Sequence, residues 1–208
     1  MTYRATKHRV HNRGIPPDRF LDELVAWGRT APAEIFAPAP GHDVYTNVFN
    51  VLGPWRDNQY RRGAMLEIMR VLAGFESSWN WNCGRDVKGV ASNTATTMEA
   101  GAFQVSANSM GFGQDLKKLV LARVGSADGT AFQKAMKQDH VLAMEYIARL
   151  LRHTVDHNGP VKRKEINDWV RKDSVEEFLT LLAQPAGPVA PPAFPPLRDG
   201  SPVFPPLR

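Results

Sequence analysis

The chain has 208 residues, a net charge of +5 and one cysteine, Cys83, which allows one substantial core with appendages and excludes an internal disulfide. No apolar run reaches the roughly 18 residues of a membrane helix, and neither zinc-finger spacing nor a phosphate-binding glycine loop occurs. The positive excess favours anionic partners without choosing among them, and because the basic residues are scattered outside Arg4, Lys7, Arg9, Arg13 and Lys162-Arg163-Lys164, no nucleic-acid partner is expected.

Residues 1–16 read as a flexible basic arm, and since no apolar stretch follows them, no Sec-type signal peptide is expected. Pro16-Pro17-Asp18 then opens a helix, with Phe20, Leu21, Leu24, Val25 and Trp27 at helical spacing and Gly28 weakening it. Residues 30–43 carry proline in a loop or strap, and Val44–Trp55 is mixed, with a break at Gly53-Pro54. Arg61–Ser77 is the clearest helix, its seam formed by Met65, Met69 and Leu72 beside Ile68 and Phe75. Residues 79–101 are polar and form a long loop or small irregular hairpin. Ala102–Ser106 is a short strand or buried turn. Gln114–Val124 forms a helix ending at Gly125. Thr130 with Gln133 suggests a capping box for the next helix. Asp139–His153 follows with Val141, Met144, Ala148 and Leu151 on one face. Ser174 with Glu177 suggests a second capping box, ahead of Val175, Phe178, Leu179 and Leu182. From residue 184 onward the chain is Pro-rich and repeats Phe-Pro-Pro-Leu-Arg at 194–198 and 204–208. This segment is either a disordered tail or a tandem docking peptide.

Glu76 continues the Met65, Met69, Leu72 seam by one more step of four. A helix therefore turns its carboxyl toward the apolar side, where burial and the negative helix end both raise its pKa. A carboxylic acid kept protonated near neutral pH can protonate a glycosidic oxygen.

The surrounding motif Gly74-Phe75-Glu76-Ser77-Ser78-Trp79 resembles the helix-end Glu-Ser motif of soluble lytic transglycosylases and goose-type lysozymes. Gly101-Ala102-Phe103-Gln104-Val105, starting 25 residues after Glu76, is similar to that family's Gly-x-x-Gln-Val motif, and Ser92-Asn93 lies between the two. The stretch Ala143–Leu151 resembles its downstream helix, and His157-Asn158-Gly159-Pro160 a shortened Tyr-Asn-Ala-Gly-Pro motif, with His157 at the family's Tyr. The resemblance covers roughly residues 60–160. It implies an all-α fold with a minor β element, a lysozyme-like domain over residues 17–183, and a peptidoglycan-cleaving glycosidase that cuts the β-1,4 bond between N-acetylmuramic acid and N-acetylglucosamine with Glu76 as acid. It leaves hydrolase and transglycosylase both open.

A hydrolase needs a second carboxylate to handle water, and Glu99 and Asp86 are the candidates; a transglycosylase manages with one, because the sugar's own hydroxyl attacks. Ser77, Trp79, Trp81, Gln104, Tyr146 and Asn158 are the expected substrate-binding residues, the two tryptophans sharing a face if their segment is extended. His140, His153 and His157 have no familiar metal spacing, so no metal or cofactor is expected. Expected partners are glycan strands of the wall and an immunity or delivery protein, the site of action being the wall after delivery or lysis. The rival from another class is a non-catalytic glycan- or partner-binding module on the same fold.

Overall fold

In the computed structural model, which describes residues 2–84 and 94–185, the α-helices are α1 (Asp18–Thr30), α2 (Val44–Asn47), α3 (Phe49–Leu52), α4 (Asn58–Ser77), α5 (Gln114–Val124), α6 (Gly129–Gln138), α7 (His140–His153), α8 (Gly159–Lys162) and α9 (Lys172–Ala183). Strand pairing among the described residues is limited to the isolated antiparallel bridges Val10–Gly14, Gly84–Ala100 and Ala100–Val105. The fold is all-α with a minor β element. Asp86, Ser92-Asn93 and the Pro-rich repeats lie outside the described residues.

Helix α4 is the axis of the molecule. Asp57 caps it by accepting from the Tyr60 amide at 2.6 Å, and from Tyr60 to Gly74 every residue except Arg62 is buried. Helices α1, α7 and α9 pack around it. Such a helix has almost no solvent face, so its buried charges need partners: Arg61 donates to Phe36 O at 2.6 Å, and the two deepest charges must satisfy each other. Glu67 and Arg70, both fully buried, do so: the guanidinium donates to the carboxylate through Nε at 2.6 Å and Nη2 at 2.7 Å. The Arg171 amide adds a third bond to Glu67 at 2.9 Å, and Arg70 also donates to His8 O at 3.1 Å.

Helix α5 stops at Gly125 in the left-handed conformation, as its glycine suggests. Neither capping box forms. Helix α6 is capped by Asp128, whose carboxylate accepts from the Thr130 and Ala131 amides, while Gln133 reaches Ala95 O at 2.7 Å. An aspartate two residues earlier offers a stronger acceptor than the threonine hydroxyl. In α9, Ser174 donates to Ala5 O at 3.0 Å, and Glu177 accepts from the Arg4 and Thr6 amides at 2.7 and 2.6 Å. In α7 Met144, Ala148 and Leu151 of the expected face are buried, as are Leu142, Ala143, Tyr146, Ile147 and Leu150, whereas Val141 is exposed.

Those α9 contacts correct the reading of residues 1–16 as a flexible arm. Ala5–Lys7 is a 3-10 turn whose amide end is held by Glu177. Thr6 and Val10 are fully buried, Lys7 donates to Pro16 O at 2.7 Å, and Tyr3 donates to Asp22 at 2.7 Å. No helix among the described residues is long and apolar enough to cross a membrane.

Candidate active site

Glu76 stands in the last turn of α4, just before the backbone reversal that ends the helix. Ser78 and Trp79 both take positive φ, 55° and 62°. The Ser78 amide returns to Gly74 O and the Trp79 amide to Ala73 O, each at 3.1 Å, a reversal that satisfies the final carbonyls. The Trp79 ring then folds back beneath the helix, where its Nε1 donates to Arg70 O at 2.8 Å. Residue 74 has to be glycine for this: a Cβ there would lie 2.8 Å from Trp79 Cζ2 and 3.0 Å from Val10 Cγ1.

Beside the helix end, residues 99–105 form a tight turn. Ala100 and Val105 exchange both backbone bonds, at 2.9 and 3.2 Å. Gly101 has φ +77°, and a Cβ there would strike Met136 O at 2.5 Å. Ser77 clamps this turn to the helix by donating to Ala102 O at 2.8 Å, and accepts from the Asn80 amide at 3.0 Å. Ser77 therefore acts as the joint between two walls of the site rather than as part of its lining.

Between these elements lies a cleft of about 590 Å³, lined by Glu76, Glu99, Gln104, His157 and Asn158 together with His11, Asn12, Arg13, Arg163, Glu165 and Trp169. Glu76 is partly buried, and burial pushes its carboxyl from 4.5 up to about 7. The negative charge of Glu99 adds to that rise; the hydrogen bond from Asn158 and the charges of Arg13 and Arg163 oppose it. Asn158 Nδ2 lies 3.3 Å from Glu76 Oε1 and 3.2 Å from Phe103 O, so one amide spans the acid and the turn. Its own Oδ1 is buried and has no partner among the described residues. Gln104 is held by its Nε2 donating to Gly101 O at 2.7 Å, and burial keeps His157 below the ordinary imidazole value.

Comparison of the chain with protein-family models, with curated proteins and with solved structures found no match. The functional reading therefore stands on the residues and their geometry.

Of the sequence-predicted residues, the structure brings Glu76, Glu99, Gln104 and Asn158 into one cleft, with Ser77 as its joint. Asp86 lies outside the described residues. Trp79, Trp81 and Tyr146 are corrections. Trp79 is buried under α4. Trp81 is stacked on His140, with ring centroids 4.0 Å apart and planes at 11°, and packs on Phe20. The positive φ at residues 78 and 79 breaks the extended geometry that two residues on one face require. Tyr146 is fully buried, its hydroxyl 2.6 Å from Ser109 Oγ and its ring edge-on to Phe132, and burial pushes its hydroxyl up to about 12. The three histidines are dispersed: His140 faces Glu23, His153 faces Asp115, and His157 lines the cleft.

The site residues that sequence reasoning missed are those supplied by the N-terminal arm and by residues 163–169. Arg163 belonged to a basic run already visible in the sequence, but nothing in that run pointed to the cleft. His11 and Arg13 sit in the arm, where an apolar Val10 among basic residues was the signal of an anchored turn.

Proposed function

We propose that the protein is a peptidoglycan-cleaving glycosidase with Glu76 as general acid. The observation that carries this reading is a carboxyl raised to about 7 by burial at the wall of an open cleft. At neutral pH much of it is protonated, as donation to a leaving glycosidic oxygen requires. Asn158 fixes the carboxyl's direction. Glu99, on the same cleft, stays available as the anionic partner of an oxocarbenium-like state or as the base for water. If the sugar's own hydroxyl attacks instead, the same acid suffices. The motif resemblance around Glu76 and Gly101–Val105 supports the substrate class, and the net positive charge supports attraction to an acidic wall. Action at the wall, reached by delivery or lysis, belongs to the same proposal.

The test is digestion of purified peptidoglycan by wild type and Glu76→Gln, with products read by mass spectrometry. Muropeptides released only by wild type are expected. Reducing ends identify a lysozyme, and 1,6-anhydro ends a transglycosylase. Absence of products from a folded wild type removes the proposal and leaves a glycan-binding module as the better reading.

A further inference from the structure

The cleft carries a guanidinium with no partner among the described residues. Arg163 is engaged by Glu165 through bonds of 2.7 and 3.0 Å, whereas the exposed Arg13 side chain makes no hydrogen bond or ion pair with any described residue. Arg13 is nevertheless held in place. It sits in a turn closed by the Val10 amide on Gly14 O and the Arg13 amide on Val10 O, both at 2.9 Å. Val10, fully buried, anchors the turn against Gly74, two residues before Glu76. His11 stacks on Phe75 with centroids 5.4 Å apart and meets Trp169 edge-on at 5.8 Å. The turn is thus bound to the helix that bears the acid, and the charge of Arg13 acts on Glu76.

Glu99 and Asp168 line the same cleft. Their charges repel a substrate carboxylate, and of the two guanidiniums lining the cleft Arg13 is the one not already paired with a described carboxylate. An unpaired guanidinium carried on an anchored turn of a cleft that also holds carboxylates therefore favours an acidic ligand at that point of the cleft. We propose that Arg13 is a specificity-determining residue that binds a carboxylate on the glycan, so that acidic wall glycan is taken over a neutral N-acetylglucosamine polymer. This rests on the glycosidase reading and adds to it a named recognition group contributed by the N-terminal arm. The carboxylate has two possible sources with shared chemistry: the lactyl group of a peptide-free muramyl residue, or the stem peptide.

The experiment is calorimetric titration of three oligomers of equal length onto Glu76→Gln, alone and combined with Arg13→Gln. The oligomers are neutral N-acetylglucosamine, the peptide-free alternating wall glycan, and its peptide-bearing form. At least one acidic oligomer is expected to bind about tenfold tighter than the neutral one, with the gap closing in the double variant and partly restored by Arg13→Lys. The acidic oligomer that loses the preference identifies the source. Equal affinity for all three, or an equal loss on all three with Arg13→Gln, overturns the role of Arg13 while leaving the glycosidase reading intact. Failure to bind any oligomer, together with no cleavage of peptidoglycan by wild type, removes both.

Discussion

If Glu76 is raised by burial, replacing it with glutamine must change how stability depends on pH, whatever the substrate. Glutamine keeps the shape and the acceptor that Asn158 Nδ2 meets at 3.3 Å and deletes only the titration. With the folded carboxyl near 7 and its ordinary value at 4.5, the folded protein keeps a proton across that interval that the unfolded chain has released. Stability is therefore full below about 4.5, falls through the interval at about 1.4 kcal/mol per pH unit, and levels off above 7. The accumulated loss is about 3 kcal/mol, present in wild type and absent in Glu76→Gln. Urea unfolding of both proteins at pH 4.5 and pH 8 isolates it, because every other titrating group cancels in the difference of differences. Glu76→Gln should gain about 3 kcal/mol relative to wild type on going from the lower pH to the higher. A stability difference that is the same at both pH values means an ordinary, solvated carboxylate, and the general-acid argument fails with it.

Three other outcomes are expected. Wild-type cleavage of wall glycan should fall as pH rises through about 7, and Glu99→Gln should move that limb to lower pH, since the Glu99 charge helps raise Glu76; an unmoved limb in a variant that still cleaves removes the coupling. Glu67→Gln should cost about 3–5 kcal/mol in urea unfolding, because it leaves Arg70 charged and buried, and Glu67→Met combined with Arg70→Met should recover part of that loss; a double variant no more stable than the single would refute this account. Trp81→Ala should cost about 3–5 kcal/mol and leave glycan affinity in a Glu76→Gln background unchanged well below the melting temperature; weakened binding there would restore the stacking role.

What was legible in the sequence followed from periodicity. The Met65, Met69, Leu72 seam located α4 and turned Glu76 inward, because a step of four residues keeps a side chain on one helix face. The failures share a different cause. Trp79 and Trp81 were paired by the alternation of an extended strand, and two left-handed residues at the helix end cancel that alternation. Tyr146 was placed in the cleft by motif likeness, although its spacing from Leu142 and Leu150 puts it on the buried face of α7.

The arm escaped for a deeper reason. What fastens residues 4–6 is the Glu177 carboxylate on two backbone amides, and backbone amides are the same at every residue, so no pattern marks which of them a distant glutamate will hold. The consequence reaches the chemistry. Helix α4 alone places the acid, but the charges that tune it arrive from residues 13, 99 and 163, on three separate segments. Burial, the largest influence on Glu76, can be anticipated from one amphipathic helix. The smaller electrostatic influences depend on how the chain closes over that helix, so the strength of the acid is a property of the assembled cleft, while its position is a property of α4.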